Sequence, residues 1–330
     1  MSHQIIPIME GLPFDAYEVM RTYLGYDMNN LLFASPSMYR RYKRVLFYWR
    51  LKLGRSSNLL DDTLLLLRRV SSWCDRPNKL IELHVYRNNC ITDVSGLGGV
   101  HTLILKDSQV LSKVNALRNV HTLNLSGCYG ITNVSALGGV HTLNLSGCSN
   151  IVDVSALGGV HILNLDGCSS IVNVSALWNV HTLDLSHCRK IIDVSALYRV
   201  HTLNLRNCDR IVDVSALGGV HTLYLDGCCS IVDVSALWNV HTLSLTHCNR
   251  IVDVSALGGV HTLSLTHCDR IVDVSALGGV HTLKRWCSSR VCGFCNIKFC
   301  HESSYRLSRV SRVTLVDSDS DQELYIQCFI

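Results

Sequence analysis

The sequence predicts an α/β solenoid, a stack of coils that each contribute one short parallel strand, and three observations predict it. From about residue 81 to 283 the chain repeats every 20 residues, with nine full units running from Val100 to Gly279 without an insertion and a degraded one before them. Self-similarity at a fixed short period is the mark of a repeat architecture. Within one unit the apolar positions are Val140, Leu143, Leu145, Cys148, Ile151, Val154 and Leu157. Their spacing of 3, 2, 3, 3, 3 and 3 matches neither a helix nor a strand throughout. It matches a coil with a short strand over 142–146, where Leu143 and Leu145 point inward together and each later corner turns another apolar side chain into the same core. Hydrophobic residues make up 48% of the 330 and charged ones 17%, which supports a large core and excludes wholesale disorder.

The unit resembles the leucine-rich repeat, whose pattern is met by Val140-x-x-Leu143-x-Leu145-x-x-Cys148, with Val in place of the first Leu. The resemblance covers roughly 200 residues. It implies a horseshoe of short parallel strands and a surface for protein binding. Twenty residues leave no room for a full helix on the outer side. The Asp153-Val-Ser-Ala-Leu157 stretch is therefore expected to form one 3₁₀ or helical turn, capped by Asp153. A Gly pair closes the unit. Its second slot holds Gly or Asn in nine of ten cases, which predicts a positive φ there and local strain at Arg199. Its first slot also accepts Arg118, Trp178, Tyr198 and Trp238, so it should face solvent.

Residues 1–53 differ in composition and show no repeat. Leu12-Pro13 opens this stretch, Leu24, Leu31 and Leu32 follow at spacings that suit short helices, and Trp49-Arg50 closes it. That frame resembles the F-box, a small all-helical motif. The resemblance implies a docking site for a Skp-family adaptor of an SCF-type ubiquitin ligase, carried by Leu12, Pro13, Leu24, Leu31, Leu32 and Trp49. Residues 54–80 are expected to form a connecting helix that caps the array. F-box-like starts before uniform arrays also resemble the multigene repeat proteins of large DNA viruses. Residues 284–330 form a tail, in which Val310-x-x-Val313-x-Leu315 suggests one degenerate closing coil.

Composition and motifs exclude several functions. A net charge of +4, scattered along the chain, is too mild for a nucleic-acid surface. No apolar stretch reaches the ~18 residues of a membrane span, and the first residues do not read as a signal peptide. The expectation is a protein of the cytoplasm, or of the host cytoplasm if viral, with reduced thiols. Each unit contains Asp, Ser and His, for example Asp153, Ser155 and His161. Hydrolysis needs one orienting pocket and an oxyanion hole, and ten stacked copies offer neither, so no enzyme is expected.

Two columns recur through the array. The cysteines at every twentieth position from Cys128 to Cys268, eight in all, are expected to point inward as small hydrophobes that donate weakly to turn carbonyls. The ten histidines at every twentieth position from His101 to His281 are expected to form a mostly neutral ladder, each ring bonding a neighbouring coil. In the tail, Cys287, Cys292, Cys295, Cys300 and His301 have the one metal-like spacing of the chain. Tetrahedral zinc uses such a Cys-x-x-Cys pair. The missing second pair favours an unligated tail or a remnant of a shifted reading frame, so no cofactor is expected.

The outward residues of the strands are small, polar and nearly neutral, leaving Arg206 and Tyr224 as the expected hot spots. Trp178, Tyr198 and Trp238 fall in one edge column and suit a protein partner. The sequence therefore reads as a protein-interaction scaffold, with recruitment of an unknown substrate protein to a ubiquitin ligase favoured. A stand-alone leucine-rich-repeat protein, its N-terminal helices acting only as a cap, is the alternative.

Overall fold

The computed structural model describes residues 93–286 and the strands at 48–53, 80–86, 312–316 and 323–326. Among these residues, fourteen strands form one sheet in strict sequence order. Ten of them, β3 (Thr102–Lys106) to β12 (Thr282–Trp286), start at the same point of successive units. Every neighbouring pair among them is parallel and in register, so that Thr lies over Thr and Leu over Leu, as in Thr202↔Thr222 and Leu203↔Leu223. This is the solenoid-like repeat that the period requires.

The physical cause of each coil is visible in one unit. β5 (Thr142–Asn144) is three residues long, shorter than the expected 142–146, and ends at Asn144. Its Oδ1 accepts the backbone N–H of Ser146 at 2.9 Å, a local bond that competes with the ladder. The chain then turns at Gly147, whose φ is +75°. Ser155–Gly159 forms the single 3₁₀ turn expected for the outer side. Asp153 Oδ1 accepts the N–H of Ser155 at 2.9 Å, so the aspartate does cap the turn, from one position before its boundary residue Val154. Asn133 and Asn173 do the same for Ser135 and Ser175, also at 2.9 Å. After the turn Val160 returns to extended backbone and the next strand begins.

All seven apolar positions of the unit, from Val140 to Leu157, are buried, and each has buried equivalents along the array that join into one continuous core. Several expectations need correction. The left-handed residues are not in the second slot of the Gly pair, where neither the glycines nor Arg199 has a positive φ. They occupy the slot before the cysteine: Asp107, Gly127, Gly147, Gly167, His187, Asn207, Gly227, His247 and His267. Every one is a residue type that enters this region at reduced cost. Crowding acts at some of the second-slot glycines, although a Cβ on Gly139 would keep 3.5 Å from the carbonyl oxygen of Arg118. A Cβ on Gly159 would lie 2.7 Å from the carbonyl oxygen of Gly138, and one on Gly279 would lie 2.4 Å from that of Gly258.

The strand ladder is also longer than the repeat. β2 (Leu80–Tyr86) carries the degraded first unit, and β1 (Tyr48–Leu53) pairs with it in parallel. Trp49 therefore stands on a strand, where the F-box resemblance called for the end of a helical domain running to residue 53. The physical reason is the open edge of β2, which offers Tyr48–Leu53 a full set of backbone partners. At the other end, β13 (Arg312–Val316) adds to β12 in parallel. β14 (Glu323–Ile326) then folds back antiparallel. Leu12, Pro13, Leu24, Leu31 and Leu32 lie outside the described residues, as do 54–79 and the tail cluster Cys287, Cys292, Cys295, Cys300 and His301. No helix among the described residues is long and apolar enough to cross a membrane.

Candidate functional site: the strand face and its edges

The strand face varies along the array. Between β6 (Ile162–Asn164) and β10 (Thr242–Ser244), Asp166, Asp184, His187, Arg206, Asn207, Tyr224 and Asp226 replace the Asn, Ser and Gly of the two coils at 124–127 and 144–147. The structure links them across coils. His187 Nδ1 donates to Asp166 Oδ1 at 2.7 Å, which leaves Nε2 to accept from Asn207 Nδ2 at 3.0 Å. Arg206 Nε pairs with Asp226, and its guanidinium lies 4.5 Å from the centre of the Tyr224 ring. The structure thus brings the two expected hot spots together. It also occupies both, since Arg206 is neutralised by Asp226 and covers a face of Tyr224. The Asp166–His187–Asn207 link escaped the sequence reading because each of its members belongs to a different unit, and they meet only through the stacking of coils.

At the other edge, Trp178, Tyr198 and Trp238 are 41%, 53% and 60% exposed. Trp178 and Tyr198 stand on successive coils, whereas Gly218 intervenes before Trp238. Arg199 lies over the Trp178 ring, 5.4 Å from its centre. Exposed rings of this size are costly to leave in water and are the side chains from which protein interfaces are built.

The histidines form a continuous stack at the start of the strands. From His101 to His281 successive rings are 4.5–4.9 Å apart. The expected bond to a neighbouring coil is replaced by one within the coil. Nδ1 of His141, for instance, is hydrogen-bonded to Oγ1 of Thr142 at 3.2 Å; the rings of successive coils meet by stacking, while the His141 backbone N–H donates to the His121 carbonyl at 3.1 Å. His161, followed by Ile162 and so without a threonine, tilts by 33° and 27° against its neighbours. Burial and the charges of the adjacent rings hold His201 and His241 below the ordinary imidazole value.

Inside the coil, the cysteine column is buried and forms no disulfide. Each Sγ donates to a leucine carbonyl of the preceding coil, as Cys148 does to Leu125 at 3.2 Å. Burial pushes the thiol of Cys128 up to about 11 and those of Cys148 and Cys208 up to about 12. The structure adds one thiol that the column reading missed, the exposed Cys229 beside Cys228. Native protein treated with an alkylating reagent at neutral pH should therefore be modified at Cys229, with the eight column cysteines protected until the array unfolds. Peptide mapping checks this, and uniform labelling from Cys128 to Cys268 would overturn the burial of the column. Among the described residues, no three His, Cys, Asp or Glu side chains are grouped to hold a metal.

No family model matches the chain, and no curated protein matches it. Among solved structures, it is similar to the functional domain of InlJ from Listeria monocytogenes, which includes a cysteine ladder. The two are 17% identical with a TM-score of 0.39, and the match covers 73% of this chain and 65% of that one. It is also similar to a leucine-rich-repeat protein of Leptospira interrogans at 12% identity and a TM-score of 0.26, covering 63% of this chain and 84% of that one.

Proposed function

We propose that this protein is a non-catalytic interaction scaffold that holds a protein partner along the exposed edge and strand face of its array. The observation that carries this reading is the edge column of Trp178, Tyr198 and Trp238, exposed aromatic side chains on a rigid ladder. A partner recovered with the full chain should be lost from a Trp178→Ala, Tyr198→Ala, Trp238→Ala variant whose melting is unchanged. Retention of the partner would move the binding surface elsewhere.

The finer reading gives the scaffold a role in substrate recruitment for an SCF-type ubiquitin ligase. It rests on the Leu12-Pro13 opening and on Leu24, Leu31 and Leu32. The pairing of Tyr48–Leu53 with β2 favours the stand-alone scaffold instead, because it assigns Trp49 to the sheet. Capture of a purified Skp-family adaptor separates the two. Under the recruitment reading the wild type binds the adaptor, and Leu12→Ala with Pro13→Ala abolishes binding without altering the melting of the array. Absence of adaptor binding by the wild type would leave the stand-alone scaffold.

A further inference from the structure

The corner between each cysteine and the following 3₁₀ turn exposes a surface that the scaffold reading does not use. An aliphatic residue occupies the same exposed slot in seven successive coils from Val152 to Val272, with Ile192 among them, and each is 47–64% exposed. Single exposed apolar residues need no explanation, but a line of them does. At ~4.8 Å per coil the line is ~30 Å long. Between Val212 and Val232 it encloses a notch of about 300 Å³ that Ala236 helps to line.

Charge is ordered on both sides of the line. The residue after the aliphatic one is aspartate in five consecutive coils, Asp193 to Asp273. The residue two before it is Lys190, Arg210, Arg250 or Arg270 in four of those five. All of these side chains are exposed. Arg189 adds to the basic column while Asp209 and Asp269 subtract from it, and it stays net positive. Asp153 and Asp233 extend the acidic column in coils where Asn150 and Ser230 stand in the basic slot, and Asn173 replaces the acid beside Ser170. Among the described residues, the ion pairs are His187–Asp166 and Arg206–Asp226, so neither column is paired within its own copy. Neighbouring aspartates repel one another, as Asp233 and Asp273 do Asp253. Each column therefore opposes itself and lacks a partner of opposite sign.

We infer that a second copy of this chain supplies that partner, the two arrays lying stripe on stripe and running in the same direction. A two-fold axis parallel to the array exchanges left and right while preserving direction. It therefore sets the basic column of one copy against the aspartate column of the other, coil for coil, with the aliphatic line between. An antiparallel pair, related by an axis across the array, would bring aspartate to aspartate and arginine to arginine. The charge order selects the parallel arrangement. A contact ~30 Å by ~15 Å buries on the order of 900 Å² over both copies, at the weak end of specific interfaces. The expected dissociation constant is roughly 10–100 μM.

Sedimentation equilibrium of the full chain across that concentration range is the test. The wild type should pass from monomer to dimer, and added salt should weaken it. Changing Asp193, Asp213, Asp253 and Asp273 to Asn keeps the turn bond that Asn133 and Asn173 already make, so the melting should hold. The dimer should weaken at least ~10-fold. Changing Lys190, Arg210, Arg250 and Arg270 to Glu should abolish self-association. Mixing that variant with one in which the four aspartates are changed to Lys should restore a dimer of one copy each. A wild type that stays monomeric throughout, or a dimer indifferent to the four Asp→Asn changes, overturns the inference. Those two measurements suffice even if the lysine variant does not fold.

Discussion

Replacing Leu203 by alanine is expected to lower the unfolding free energy of the array by about 2–5 kcal/mol. Leu203 is completely buried at the centre of β8 (Thr202–Asn204), in register between Leu183 on one side and Leu223 on the other. The change removes three carbons from a position with neighbours in both adjacent coils. The residues that could relax into the gap belong to coils whose backbones are locked by the ladder, so the cavity stays largely open. A solenoid also holds each coil only through its neighbours, and the loss therefore weakens two interfaces at once. Denaturant unfolding followed by circular dichroism checks this. A cost below about 0.5 kcal/mol would be that of a surface substitution and would place Leu203 outside the core.

Acid should destabilise the array in two stages. The pKa values of His201, His241 and His267 lie below the ordinary 6.5 in the fold, burial being the first cause and an adjacent imidazole the second. The unfolded chain then binds more protons than the folded one as pH falls below about 6.5, so stability present at pH 7 is lost on the way to pH 5. The geometry agrees with this, since the His201 ring lies 4.7 Å from those of both His181 and His221. The second stage belongs to the capping aspartates. The Ser155 N–H bonded to Asp153, and the equivalent bonds at Asp193, Asp213, Asp233, Asp253 and Asp273, hold these carboxyls below the ordinary 3.8. Their contribution is present above pH 4 and is lost as pH falls through and below that value. Thermal melting at pH 7, 5 and 3 should show both drops. Changing His121, His161, His201 and His241 to Asn separates the remaining rings of that stretch and should flatten the first drop while leaving the second. An unchanged midpoint between pH 7 and 5 in the wild type would remove any pH-sensing role from the ladder.

Much of the interior could be read from the chain because it depends on one repeated spacing. Once Leu143 and Leu145 are two apart and the later apolar residues three apart, a closed coil is the arrangement that turns all of them inward, and every unit repeats it. The cysteine column, the 3₁₀ turn and the exposed aromatic edge follow from that local periodicity. The position of the left-handed residue was legible too, in the Gly, Asn and His before each cysteine of the column and in Asp107 before Ser108. The Gly pair hid it, because glycine serves close approach as readily as a positive φ.

What the sequence by itself determined about this protein is the set of side chains that each coil buries and exposes, since an unbroken period constrains every unit alike. Tertiary structure alone decided what happens between coils. The stacking of His141 on His161, the Asp166–His187–Asn207 link, the covering of Tyr224 by Arg206 and the recruitment of Tyr48–Leu53 to the edge of β2 all join residues that are distant along the chain. Such contacts depend on the rise and register from one coil to the next. Those are set by backbone hydrogen bonds between strands, which any residue other than proline can make, and so they leave little trace in composition or spacing.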